Sequence, residues 1–209
     1  MPRVLVVYNT NLGNTRLMAE SVAEGARTLP GAEVVLKTAD QAGLDDGRWC
    51  DALVLGSPMR HRSADARVKE FIERVLEVLW LTDEMVGKVG GVFTVGGGYG
   101  DQGAGCDVAQ VGMLAAMAAC GMVLVPLPKT TPGSEVANSH WGPNGRSGGP
   151  QMQPVGITDD MRLCGFHHGA NVARVAAELK GKRLFATGNK APSDELIAMF
   201  SAPAGQATG

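Results

Sequence analysis

One stretch near the amino terminus reads Val4-Leu5-Val6-Val7-Tyr8-Asn9-Thr10-Asn11-Leu12-Gly13-Asn14-Thr15. Its apolar first half predicts a buried strand, and the small polar residues that follow predict a loop leading into a helix. The first turn of a helix has unpaired backbone N–H groups and the positive end of the helix dipole, so it can hold an anion. We therefore predict a site for one phosphate group, formed by Thr10, Asn11, Leu12, Gly13, Asn14 and Thr15.

Two other nucleotide-binding loops are excluded by the same residues. A triphosphate P-loop needs a Gly-Lys-Ser/Thr sequence, which does not follow this strand. The dinucleotide fingerprint needs three glycines, whereas this loop has only Gly13. A plain strand-to-helix turn with good capping residues remains as the alternative to a loop for one terminal phosphate.

The run from Val6 to Thr15 resembles the flavodoxin signature for binding the phosphate of FMN. It has two aliphatic residues, an aromatic residue, a hydroxyl residue, a small residue and a final threonine in the signature's order. The resemblance implies FMN as the cofactor.

The rest of the chain alternates strands and helices. Further strands are predicted at 33–37, 51–56, 88–95 and 122–126, with helical spacing between them and after the last. The strands are apolar almost throughout, which is typical of a parallel sheet covered on both faces. We predict an α/β, flavodoxin-like, doubly wound five-stranded parallel sheet with the order 2-1-3-4-5 and right-handed crossovers.

The domain expected from this pattern covers residues 1–185, followed by a C-terminal extension over 186–209 with one short helix near 193–200. A long loop, residues 127–157, is inserted after the fifth strand. We interpret it as a functional lid or intersubunit loop, with a disordered insertion as the alternative. The helix from Cys106 to Cys120 is expected to pack one face closely against a neighbour, and that face contains Val108, Val111, Ala115 and Ala118.

Ligands of open α/β sheets bind beyond the carboxyl ends of the strands. The loop after the third strand and the glycine-rich loop after the fourth are therefore predicted to lie beside the phosphate loop. Glycines permit backbone contact with a flat or anionic ligand, although a flexible surface loop is the alternative. The predicted cofactor contacts here are Pro58, Met59, Arg60, His61, Arg62, Ser63, Thr94, Val95, Gly96, Gly97, Gly98 and Tyr99.

The wider chain resembles the WrbA-type NAD(P)H:quinone oxidoreductases over roughly residues 1–182. The matching marks are Gly56-Ser57-Pro58-Met59-Arg60, Leu79-Trp80 before Gly87-Lys88, Gly96-Gly97-Gly98, and Gly121-Met122-Val123-Leu124-Val125-Pro126. The resemblance implies NAD(P)H as electron donor, a quinone or similar two-electron acceptor, a ping-pong mechanism and a homotetramer, or a dimer. It also implies Trp80, His140 and Trp141 as substrate-pocket residues that reach the FMN of a neighbouring subunit, with ordinary helix-end packing as the alternative for Trp80.

Two residues of the second loop are candidates for catalysis. Arg60, with Arg62 as a further candidate for the same role, would stabilise the negative charge that two-electron reduction places on the flavin. His61 would contact the ring or donate a proton to the quinone oxygen. A surface arginine in an ion pair and a solvated loop histidine are the alternatives. The WrbA-type sequence at this loop is Pro-Thr-Arg-Phe-Gly, whereas this chain has Pro58-Met59-Arg60-His61-Arg62, so the acceptor is expected to differ from a simple quinone.

Composition narrows the function classes. A net charge of −2 argues against nucleic-acid binding and weakens the alternative of a strongly acidic electron-carrier flavodoxin. We expect a cytoplasmic protein because the sequence shows no signal peptide and no membrane span. Four widely spaced cysteines predict buried free thiols and no metal site. A non-catalytic FMN-binding module remains a third possibility.

Overall fold

A computed structural model describes residues 1–98, 105–137, 139–188 and 191–201. The strands are β1 (Arg3–Tyr8), β2 (Glu33–Thr38), β3 (Ala52–Arg60), β4 (Ser63–Ala64), β5 (Val89–Gly96), β6 (Val123–Leu124) and β7 (Asn144–Arg146). The helices are α1 (Asn14–Arg27), α2 (Leu44–Trp49), α3 (Ala66–Phe71), α4 (Glu77–Leu81), α5 (Cys106–Ala119), α6 (Ser134–Ala137), α7 (Asp159–Leu179) and α8 (Asp194–Ser201). A π-helical segment, Ile72–Leu76, joins α3 to α4.

The predicted sheet is confirmed. Its parallel strands run in the order β2-β1-β3-β5-β6, which is 2-1-3-4-5 when the five main strands are counted along the chain. Two further short strands join it: β4 pairs antiparallel with the end of β3, and β7 pairs parallel with the end of β5.

The edge position beside β5 is filled by two separate segments. The expected strand at 122–126 is shorter than predicted, because β6 pairs only with Val89 and Gly90. Asn144–Arg146, which lies within the 127–157 insertion, pairs with Thr94–Gly96. The insertion therefore contributes a strand to the sheet at the end where ligands bind.

Each face of the sheet is covered by a helical layer. In β1, Val4 and Val6 pack in the cluster that contains the buried residues of α1 and α7, whereas Leu5 and Val7 pack with the helices of the opposite face. This alternation agrees with the buried, doubly wound sheet expected from the apolar strands.

Helix α2 occupies part of the connection between β2 and β3. Two local expectations are corrected. Strand β3 continues beyond Gly56 to Arg60, because its end pairs with β4 in a hairpin. Val108, Val111, Ala115 and Ala118 lie on the exposed face of α5, and the buried face contains Ala109, Met113 and Met117 instead.

The described residues also bear on three general features, which are membrane-spanning helices, metal-ligating clusters and thiols. Among the described residues, no helix has the length and apolar character needed to cross a bilayer. In the same residues, no cluster of three or more His, Cys, Asp or Glu side chains could hold a metal ion. Cys50, Cys106, Cys120 and Cys164 are buried, and among the described residues none of them forms a disulfide, which confirms the prediction for the thiols.

Candidate functional site

The carboxyl ends of β1, β3 and β5 meet in one pocket. It is lined by Thr10, Asn11, Leu12, Asn14, Thr15, Pro58, Met59, Arg60, Val95, Gly96, Gly97 and Ser147. All of these except Ser147 belong to the three loops selected from the sequence. The parallel topology brings the loops together, since every strand of a βαβ unit ends at the same edge.

The first wall of the pocket is the N-terminus of α1. Gly13 adopts a left-handed conformation with φ of 87°, and its N–H donates to Thr10 Oγ1 at 3.1 Å. The first helical hydrogen bond runs from the Leu17 N–H to the Gly13 carbonyl, so the N–H groups of Asn14, Thr15 and Arg16 precede it. Within α1, the first turn carries no acidic residue. The donor set therefore fits an anion such as the phosphate of FMN.

The second wall is the β3–β4 hairpin. His61 and Arg62 form its two-residue turn with φ values of 46° and 65°, the conformation that favours asparagine and glycine. Glycine is the residue that the WrbA-type pattern has at the position of Arg62, so this chain keeps the turn at some cost in backbone strain.

This hairpin changes the roles expected for its residues. His61, Arg62 and Ser63 are exposed at the tip and do not line the pocket, whereas Pro58, Met59 and Arg60 do. The Arg62 side chain packs against the backbone of Gly105 instead, where a Cβ atom on the glycine would lie 2.5 Å from Arg62 Cγ. Only Pro58, Met59 and Arg60, at the end of β3, therefore lie where they can contact a cofactor in the pocket. The contacts predicted for the three hairpin-tip residues stay predictions.

A buried carboxylate, Asp65, lies directly behind the second wall and was missed in the sequence analysis. It accepts hydrogen bonds from Asn9 Nδ2 at 2.8 Å and from Arg67 Nε at 3.0 Å, and Arg60 Nε lies 3.6 Å away. Burial by itself would raise the pKa of Asp65, but the hydrogen bonds from Arg67 and the charge of Arg60 outweigh it and lower the pKa. An ionised Asp65 therefore ties the end of β1 to the hairpin and to α3.

The third wall combines the start of the glycine-rich loop with the insertion. Ser147 donates its N–H to the Gly96 carbonyl at 2.8 Å and its hydroxyl to the same oxygen at 3.2 Å. Gly148 lies so close to Gly97 that a Cβ atom would meet the Gly97 carbonyl oxygen at 2.2 Å. The insertion therefore walls the pocket of its own subunit.

Several predicted residues lie elsewhere. Thr94 is fully buried behind the pocket, where its hydroxyl accepts a hydrogen bond from Gln110 Nε2 at 3.0 Å. Gly98 lies against the Arg146 side chain. Tyr99 lies outside the described residues.

The three expected substrate residues are also outside this pocket. Trp80 lies near the end of α4 at the opposite, amino edge of the sheet, where it lines a separate cavity of about 640 Å³. This position follows from the topology, because the helix after β3 must run back to the start of β5, and the substrate role of Trp80 stays a prediction. His140 and Trp141 are exposed beside the outer edge of the sheet and do not line the pocket of the same subunit.

Comparison with known proteins agrees with this architecture. The flavodoxin domain family matches residues 5–97. The crystal structure of a WrbA-like flavodoxin from Agrobacterium tumefaciens superposes with a TM-score of 0.64 at 24% identity, covering 86% of this chain and 100% of that one. The chain therefore has the flavodoxin-like fold.

Two relatives by sequence point in different functional directions. A flavodoxin from Aquifex aeolicus is 46% identical over 100 residues, which are 48% of this flavodoxin-like chain and 53% of that protein. An NAD(P)H dehydrogenase (quinone) from Geobacter sulfurreducens is 28% identical over 207 residues, covering 85% of this chain and 99% of its own length. The sequence similarity to this dehydrogenase therefore extends over most of the chain.

Proposed function

We propose that this protein is an FMN-dependent NAD(P)H oxidoreductase that reduces quinones or similar two-electron acceptors. The observation that carries the proposal is the pocket in which a helix N-terminus, with donors that fit an anion, meets two strand-end loops. The similarity to an NAD(P)H dehydrogenase (quinone) over 85% of this chain supports the oxidoreductase class.

The pocket residues divide into three tasks. Thr10 and Asn11 to Thr15 hold the cofactor phosphate through hydroxyl, amide and backbone N–H donors. Pro58 to Arg60 and Gly96 with Gly97 flank the remainder of the cofactor, and FMN supplies the two-electron redox chemistry when bound. Arg60 contributes a positive charge at the wall, since its guanidinium is held near Asp65 with about half of the side chain exposed. His61, at the hairpin tip, is a candidate proton donor for an acceptor that enters from solvent.

The proposed activity predicts that flavin-loaded protein consumes NADH or NADPH when benzoquinone is supplied. One open pocket would serve donor and acceptor in turn, so we expect ping-pong kinetics. The measurement is the fall in absorbance at 340 nm over a grid of donor and acceptor concentrations, with free FMN as the control. Flavin-loaded protein that oxidises neither nucleotide with any quinone would contradict the proposal.

An electron-carrier flavodoxin is the second candidate. The 46% identity to the Aquifex aeolicus flavodoxin over 100 residues favours it. A carrier exchanges electrons with protein partners and would not consume NAD(P)H unless a separate reductase were added. The same assay therefore separates the two functions.

We also propose a homotetramer, or a dimer, in which the exposed face of α5 is an interface. That face contains Val108, Val111, Ala115 and Ala118, and α5 has only one charged residue, Asp107. A solvent-facing helix surface normally carries several charged residues, so one whose single charge, Asp107, lies in the first turn favours burial against another subunit.

Introducing a charge on this face is expected to reduce the size of the assembly. Val111→Glu places a carboxylate in the proposed interface, where its desolvation would disfavour association. The measurement is light scattering coupled to size exclusion. Ala177→Glu, on the exposed face of α7, is the matched control and should keep the parent mass. A Val111→Glu protein with the parent's oligomeric mass would exclude this interface.

A further inference from the structure

An arginine side chain from a different element of the fold lies beside the phosphate loop. Arg67, in the first turn of α3, donates from Nε to Asp65 Oδ1 at 3.0 Å and from Nη2 to Asp65 Oδ2 at 3.3 Å. The same Nη2 donates to Asn11 Oδ1, and Asn11 lines the pocket. The guanidinium therefore bridges the buried carboxylate and the loop at residues 10–15.

The geometry of this bridge fixes the direction of the guanidinium. A two-point contact with a carboxylate holds an arginine in one plane, which a single-point contact does not. Asp65 itself cannot rotate away, because it also accepts hydrogen bonds from Asn9 and from the Arg67 backbone N–H. Arg67 is thus preorganised towards Asn11, although nearly half of its side chain is exposed.

The local charge balance leaves this cation available to an anion. Asp65 faces two arginines, Arg60 and Arg67, so the three groups together carry one net positive charge. The carboxylate of Asp40 also acts on Arg67, but it is fully exposed, so water and salt screen most of its effect. Arg16, at the start of α1, is already paired with Glu20 at 3.6 Å.

We propose that Arg67, positioned by Asp65, is a further binding residue on the phosphate side of the cofactor site and helps the protein select FMN over riboflavin. This inference rests on the proposed function, because it takes FMN as the ligand. Arg67 acts in two ways: it holds the Asn11 amide in place and it adds a fixed positive charge next to a loop whose other donors are neutral. Neither Arg67 nor Asp65 lies within the phosphate-loop stretch itself.

Titration of the apoprotein with FMN and with riboflavin tests the proposal. Arg67→Gln removes one charge-assisted contact that solvent partly screens. We therefore expect this variant to bind FMN about tenfold more weakly than the parent. Riboflavin lacks the phosphate, so its dissociation constant should stay within about twofold of the parent's. The loss for FMN should shrink as salt is raised, because part of it is electrostatic.

Two further variants keep the result interpretable. Lys69→Gln removes the same charge from the same helix, but Lys69 pairs with Glu73 and does not contact the loop, so its FMN affinity should match the parent's. Arg67→Lys retains the charge and should recover part of the FMN affinity without restoring the two-point contact. Equal weakening of FMN and riboflavin by Arg67→Gln would show a merely structural role, and unchanged FMN affinity would also overturn the proposal. A parent protein that does not bind FMN would instead defeat the proposed function.

Discussion

Replacing Gly13 by valine is expected to weaken FMN binding by tenfold or more. Gly13 has φ of 87°, which is strained for a residue with a Cβ atom and more so for a β-branched one. No described heavy atom lies within 4 Å of the position a Cβ would take, so the new side chain would project into open space beside the loop. Both effects act where the cofactor phosphate is proposed to lie. The measurement is fluorescence titration of the apoprotein with FMN.

A remote glycine provides the control for this substitution. Gly181 has φ of 77°, also has no described atom within 4 Å of its Cβ position, and lies beyond the end of α7. Gly181→Val should therefore cost similar backbone strain and leave FMN affinity unchanged.

A second variant at the site, Thr15→Ala, removes a buried hydroxyl that lines the pocket. A hydrogen bond from this hydroxyl to the phosphate would contribute about 1.5–3 kcal/mol to FMN binding. Parent-like FMN binding by both Gly13→Val and Thr15→Ala would show that the phosphate assignment is wrong.

The sheet and most of the pocket wall could be predicted because they depend on local signals. Apolar strands followed by polar or glycine-rich loops fix the strand ends, and parallel pairing then places those ends at one edge. Thr10 to Thr15, Pro58 to Arg60 and Gly96 with Gly97 follow from this reasoning. The continuation of β3 to Arg60 could not be predicted in the same way, because it depends on a turn with two non-glycine residues at positive φ.

The contacts that sequence reasoning missed join residues far apart in the chain. Asp65 comes directly before a segment with helical periodicity, so the sequence indicates that it caps the helix N-terminus. Its hydrogen bond with Asn9 cannot be predicted in this way. Ser147 reaches the pocket only because the insertion returns to the sheet as β7. The exposed face of α5 was misassigned because that helix is apolar on nearly all sides, so its periodicity does not indicate which face is buried.

His168 is a buried ionisable group that the proposed chemistry does not use. It is fully buried in α7, and neither ring nitrogen has a hydrogen-bond partner among the described residues. The ring fits against β5 because Gly91 has no side chain, and a Cβ there would lie 3.0 Å from His168 Nε2. Burial lowers the pKa of His168 from 6.5 to about 4. Between these two pKa values, His168 is therefore neutral in the folded protein and protonated in the unfolded chain.

Stability should consequently fall as the pH drops from 6.5 towards 4, and His168→Leu should remove most of that fall. Because the folded pKa lies below the unfolded value, the linkage costs about 2 kcal/mol in the free energy of unfolding between pH 7.5 and pH 5. Asp51 and Asp65, with pKa values lowered from 3.8, lose their contribution only at more acidic pH. Urea unfolding at pH 7.5 and pH 5 measures the difference.

The leucine of His168→Leu should also stabilise the protein at pH 7.5, since it replaces unpaired polar atoms. His167→Leu, a half-buried neighbour, is the control and should keep the parent's pH dependence. A His168→Leu protein that loses as much stability as the parent over this range would show that His168 is not the responsible group.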